Sequence, residues 1–262
     1  MKLTARIPAS NRALEIGARR LRAAVKKIPG AVPLFRACRY VLDPGYRSER
    51  RLMRARPEKL FQPHALTSFD RHPAIFSFIE RQLRGCAAPR ILSYGCSTGE
   101  EAFSLCTYLP QAEIVGIDIN PRSIRVCQKK QARSGDARMR FVQAATPHGE
   151  AEASYDAVFC LSVLRHGELG VRQPETCGHL IRFADFEEIV ASLCRCLKPG
   201  GYLAILGSNF RFADTAAAAG FEPVFSLPGN KARADTPLYG PDEGRLVGAV
   251  YNDVVFRKRG GA

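Results

Sequence analysis

From residue 90 onward the chain alternates short apolar runs with segments of helical period, the pattern of βαβ units wound around a parallel sheet. The runs predict strands over Arg90–Ser93, Glu113–Asp118, Met139–Gln143, Tyr155–Ser162, Tyr202–Gly207, Glu222–Leu227 and Gly248–Arg257. Between the first two, a helix is predicted from Glu100 to Tyr108. Asn120 is an N-cap candidate with Pro121 at the first helical position, opening a helix to about Ala132. Phe183–Leu197 places Phe186, Ile189, Val190, Leu193 and Leu197 on one face, and Lys198-Pro-Gly-Gly201 is read as its stop and the turn into the next strand. Arg165–Arg182 lacks strong periodicity and is read as a long loop at the carboxyl end of the fourth strand, where such sheets border their ligand crevice. The fold class is therefore α/β, a doubly wound seven-stranded sheet. The chain divides into a basic helical region over 1–66 and a ligand-binding domain over 67–262.

Charge sharpens that division. The chain carries a formal net charge of +14, and residues 1–60 hold 16 Lys/Arg against 4 Asp/Glu. Helices are predicted there over Arg12–Lys27, where Leu14, Ile16, Leu21 and Val25 interleave with basic residues, and over Glu49–Leu60. Such a region is either a surface for an acidic partner (nucleic acid, anionic lipid or an acidic protein face) or a solvated basic face. Its Arg richness also suits a transit peptide, but without the accompanying Ser richness. No apolar stretch approaches the length of a membrane-spanning helix. The nine cysteines are scattered, none in a Cys-x-x-Cys pair, which argues for reduced structural thiols in a cytoplasmic protein and against a zinc site or disulfide framework.

The chemistry concentrates after the first strand, in Tyr94-Gly-Cys-Ser-Thr-Gly-Glu100. Small residues at Gly95, Ser97 and Gly99 let the backbone pass close to a ligand before a helix begins. Asp118, at the end of the second strand, is placed to accept both hydroxyls of an adenosine ribose. The loop lacks the Gly-x-Gly-x-x-Gly of dinucleotide readers, and the acid Glu100 suits an ammonium and repels a pyrophosphate. That favours S-adenosyl-L-methionine over a nicotinamide cofactor. Structural explanations compete: Asp118 as a turn aspartate and Glu100 as a first-turn helix acid, and, for two residues upstream that the resemblance below singles out, Thr67 as an N-cap and Arg71 as a surface arginine.

Ser93-Tyr-Gly-Cys-Ser-Thr-Gly-Glu-Glu-Ala-Phe-Ser104 resembles the cofactor loop of the chemotaxis receptor, or protein-glutamate O-, methyltransferases, within the class I methyltransferases. Thr67-Ser-Phe-Asp-Arg71 resembles that family's Thr-x-Phe-Phe-Arg segment, Gly116-Ile-Asp-Ile119 its second strand end, and Tyr155–Val163 its fourth strand. The resemblance implies a seventh strand inserted antiparallel between the fifth and sixth. It also implies a cofactor site of Thr67, Arg71, Gly95, Cys96, Ser97, Gly99, Glu100, Asp118, Ile119 and Ser162. Where the family carries Cys-Arg-Asn-Val, this chain has Cys160-Leu-Ser-Val163, so the acceptor, protein or small molecule, stays unidentified. No catalytic residue is assigned; Arg165 and His166 are the candidates, with His179 nearby in sequence. A chemotaxis-type protein-glutamate methyltransferase is one alternative. A nucleic-acid-binding or non-catalytic interaction protein on the same fold is another.

Overall fold

The computed structural model describes residues 31–55, 59–227 and 236–260. The helix predicted over 12–27 lies outside the described residues. Two compact units separate at Arg51/Leu52. Helices α1 (Ala31–Leu42) and α2 (Pro44–Ala55) bury no residue. Helix α2 starts earlier than the sequence predicts: Pro44, with its preset φ, opens the first turn, and the Asp43 carboxylate accepts from the Tyr46 N–H at 3.0 Å.

The second unit holds a seven-stranded sheet in the order β3-β2-β1-β4-β5-β7-β6. Its strands are β1 (Arg90–Tyr94), β2 (Glu113–Asp118), β3 (Met139–Gln143), β4 (Tyr155–Leu161), β5 (Leu197–Leu206), β6 (Phe221–Ser226) and β7 (Asp253–Lys258). The first five run parallel, and β7 lies antiparallel between β5 and β6, as the resemblance implies. Successive residues of each central strand enter opposite cores. Leu92, Val115, Val158 and Leu203 face one side, packed with Phe186, Ile189 and Leu193 of α7 (Phe183–Cys196). Ile91, Ile114, Phe159 and Ala204 face the other. There they meet α3 (Pro73–Leu83), α4 (Glu100–Tyr108) and α5 (Pro121–Ser134) through Ile75, Phe76, Leu105 and Ile124. A sheet buried on both faces explains why its strands read as near-continuous apolar runs.

The N-cap of α5 is Asn120, whose side-chain oxygen accepts from the Arg122 N–H at 3.0 Å. Beyond shifts of one or two residues at element ends, three segments differ from the sequence reading. Lys198-Pro-Gly-Gly201 is no turn between α7 and the strand. It is already the start of β5, held by paired 2.8 and 2.9 Å contacts from Lys198 Nζ to the Asp156 carboxylate across an irregularity in the β4–β5 ladder. Strand β7 begins at Asp253 rather than Gly248, because its partner β6 ends at Ser226, which registers with Asp253. Finally, the predicted loop Arg165–Arg182 contains a short helix, α6 (Gly167–Arg172), too brief to show periodicity.

Candidate functional site

The carboxyl ends of β1, β2, β3 and β4 open onto one cavity of about 90 Å³. Strand order reverses between β1 and its two neighbours, β2 and β4, so the loops leaving these strands diverge and leave a crevice. Two constraints shape the β1 loop. Gly95 has φ +70°, and a Cβ there would lie 2.4 Å from a Val163 methyl, so only glycine lets the β1 and β4 loops approach. Ser97, with φ +51°, turns its N–H onto Asp118 at 2.8 Å, and its buried hydroxyl has no hydrogen-bond partner among the described residues.

Asp118 is the anchor of this arrangement. One carboxylate oxygen accepts from Ser97 N–H, the other from Asn120 N–H at 2.7 Å. Burial nonetheless pushes its carboxyl above the usual range, because two backbone donors do not replace its lost hydration. Its unused lone pairs suit further hydroxyl donors.

The two adjacent acids at the start of α4 part company. Glu100, singled out by its place in the loop, does not line the cavity. Its carboxylate meets Lys130 Nζ and the Thr98 hydroxyl, both at 2.6 Å, and burial is outweighed by these contacts, so its carboxyl sits below the usual range. Glu101 lines the cavity instead, accepting from the Ser93 hydroxyl at 2.7 Å. Burial raises its carboxyl to about 7, against the pull of the Ser93 hydrogen bond and the Arg71 charge. One helical residue, 100° of rotation, decides which acid lines the cavity.

Of the sequence-predicted residues, Thr67, Arg71, Gly95, Cys96, Ser97, Asp118, Ile119 and Ser162 come together around the cavity, while Gly99 and Glu100 stand outside it. Thr67 is not a helix cap; His72 holds that position for α3. Ser162 adopts φ +63°, with its N–H given to Leu206 O at 2.6 Å. Arg165 and His166 do not line the cavity, although the neighbouring Leu164 does. His166 caps α6, its Nδ1 accepting from Glu168 N–H at 3.3 Å, and its backbone N–H donates to the buried Asn209 at 2.7 Å. Burial lowers its imidazole, with His64 and His179 adding to the effect and Glu168 opposing it. Sequence reasoning missed Glu101, His64, His72 and Asn209. Only Glu101 had a signal, as the second acid of the Glu-Glu pair.

Cys96 and Cys127 are buried, and both thiols donate to the Ser97 carbonyl, at 3.8 and 3.2 Å. All nine cysteines are free, six of them buried. No group of His, Cys, Asp or Glu among the described residues is arranged to hold a metal ion, and no helix among them is long and apolar enough to cross a membrane.

Residues 87–223 match the family model of a methyltransferase domain. The malonyl-[acyl-carrier protein] O-methyltransferase of Paenibacillus sp. (strain JDR-2) is 30% identical over 154 residues, covering 56% of this chain and 52% of that protein. A ubiquinone biosynthesis O-methyltransferase of Methylocella silvestris is 35% identical over 124 residues, 46% of each chain. The chain thus spans about half the length of these relatives. Among solved structures, the YcgJ protein of Bacillus subtilis superposes with a TM-score of 0.44 at 13% identity, covering 72% of this chain and all of that one. The chain belongs to the methyltransferase domain family, with the class I sheet order.

Proposed function

We propose that this protein transfers a methyl group from S-adenosyl-L-methionine to an acceptor. The observation that carries the reading is the pairing of two unlike acids in one cavity. Asp118 at the end of β2 suits the ribose, and Glu101 against Ser93 suits the ammonium of the amino-acid end. Thr67 and Arg71 close that end, Arg71 supplying a positive charge for the carboxylate while its guanidinium also donates to Leu66 O at 3.0 Å. The unpartnered Ser97 hydroxyl and the glycine-bound loop fit a ligand running between the two acids. When bound, the cofactor supplies an electrophilic methyl on a sulfonium. The chain's task is then alignment and exclusion of water, with no covalent step on the protein.

The acceptor side of the cavity offers Leu60, Phe61, Val163 and Leu164, with His64 at its edge. An apolar small molecule carrying a hydroxyl matches that lining. A protein-glutamate acceptor, as in the chemotaxis family, is supported by the Ser-Thr-Gly-Glu-Glu loop, whose second glutamate lines the cavity, but not by the rewritten Cys160-Leu-Ser-Val163 segment. The basic region over 1–66, including Arg47, Arg50, Arg51 and Arg54 of α2, is an offered surface for an acidic partner.

Calorimetric titration with S-adenosylhomocysteine tests the cofactor. Transfer of tritiated methyl to fractionated small molecules, proteins and RNA tests the acceptor. Absence of measurable binding ends the enzyme reading in favour of an interaction module. Label in the protein fraction ends the small-molecule reading.

A further inference from the structure

His72 stands at the start of α3 without doing what a residue there ordinarily does. Its side chain makes no capping hydrogen bond, although its carbonyl accepts from Ile75 and Phe76 N–H, both at 3.1 Å. The ring packs edge-on to Phe76 at 6.4 Å, and Phe76 in turn packs on Phe159 of β4, so the imidazole is fixed by the core. Its Nε2 is buried and has no hydrogen-bond partner among the described residues. A sealed, unpaired ring nitrogen is costly in a folded protein and calls for an explanation.

The surroundings supply one. His72 lines the same cavity as Glu101 and Arg71, and the Arg71 charge acts on both. These three side chains are therefore neighbours on the cavity wall. Burial, reinforced by the neighbouring Arg71 charge, pushes the imidazole down to about 4. At neutral pH the ring is uncharged and brings one N–H donor without adding a second cation beside Arg71.

Resting on the cofactor reading above, we propose that His72 donates its Nε2–H to the carboxylate at the amino-acid end of S-adenosylmethionine, alongside Arg71 and opposite Glu101. The three residues then read both charges of that end. Glu101 takes the ammonium, Arg71 and His72 the carboxylate.

The test compares two ligands on the full-length protein by calorimetry: S-adenosylhomocysteine, which has the amino-acid end, and methylthioadenosine, which lacks it. His72→Phe keeps the ring's bulk and removes the donor. The expected result is a loss of about tenfold or more in affinity for S-adenosylhomocysteine, with methylthioadenosine bound within about twofold of wild type. His72→Gln, which retains an N–H donor, is expected to recover part of the loss. Methylthioadenosine binding by each variant reports that the site is still folded. Equal loss for both ligands, or no loss for either, overturns the assignment of His72 while leaving the cofactor reading intact. Wild-type protein that binds neither ligand overturns both.

Discussion

Glu101 of α4 accepts a 2.7 Å hydrogen bond from the Ser93 hydroxyl of β1, which fixes a carboxylate at the floor of the cavity. Ser93 is fully buried, so the bond is sheltered from water and the acid cannot swing out to solvent without leaving an unpaired hydroxyl behind. Removing the charge separates the two neighbouring acids. Glu101→Gln is expected to weaken S-adenosylhomocysteine binding about tenfold or more, because a charge-assisted contact to the ligand ammonium is lost. Glu100→Gln breaks only the part-exposed pair with Lys130 and should leave affinity within about threefold, at a stability cost below about 1 kcal/mol. Calorimetry on both variants checks this, and the reverse ranking would return the site to Glu100.

The same acid predicts a pH dependence. Its carboxyl is raised to about 7, so in the empty protein it is mostly neutral below that pH and a carboxylate above it. Ammonium binding needs the carboxylate. Affinity is therefore expected to climb as pH rises toward and through 7, with the slope absent in Glu101→Gln. The stability of the ligand-free protein moves oppositely. The folded state holds this proton over the range from the ordinary 4.5 up to about 7, while the unfolded state releases it, so the acid's contribution to stability declines across that window. Titrations at several pH values, with urea unfolding alongside, measure both slopes.

Much of the fold was legible in the chain because burial on both faces of a parallel sheet writes itself as apolar runs. The bounds of β2 and β3 follow directly from that pattern. What escaped was set by partners distant in sequence. Lys198-Pro-Gly-Gly201 reads as a turn by composition, yet Asp156, 42 positions earlier, draws Lys198 into the β4–β5 ladder. Glu100 reads as the ligand acid by its position in the loop, but Lys130 of α5 captures it and leaves the cavity to Glu101. His72 carries no local mark at all. Its place depends on the packing of Phe76 against Phe159, which no spacing within the segment reveals.

Gly95 is where the loop tolerates no side chain. Gly95→Ala places a methyl 2.4 Å from Val163 on a backbone already at φ +70°, so strain and overpacking act together. We expect a loss of about 2–4 kcal/mol in urea unfolding, and weaker S-adenosylhomocysteine binding, because the β1 and β4 loops must separate. By contrast, Gly135 is also left-handed, at φ +68°, but has open space around its Cβ position. Gly135→Ala is expected to cost only about 1 kcal/mol, from the backbone alone, with ligand affinity unchanged.

The cavity wall at Leu164 is held by a different residue. Asn209, fully buried after β5, accepts from His166 N–H at 2.7 Å and donates to Pro237 O at 2.8 Å, while its own N–H reaches Leu164 O at 3.1 Å and its carbonyl accepts from Tyr239 N–H at 2.8 Å. It thereby ties the wall of the cavity at Leu164 to the segment between β6 and β7. That segment continues the brace, with Arg245 N–H on Glu175 O and the Tyr239 hydroxyl on Pro174 O. Asn209→Ala leaves one part-buried donor, His166 N–H, and one part-buried acceptor, Pro237 O, unpaired, for an expected loss of about 1–3 kcal/mol. The hydrogen bonds of Asp118 and Glu101, on β2 and α4, run to Ser97, Asn120 and Ser93 and not to Asn209. S-adenosylhomocysteine affinity should therefore stay within about threefold of wild type, while amide exchange at residues 164–182 accelerates. A comparable fall in cofactor affinity would show that the two sides of the cavity are one cooperative unit, and that Asn209 supports the donor site as much as the acceptor wall.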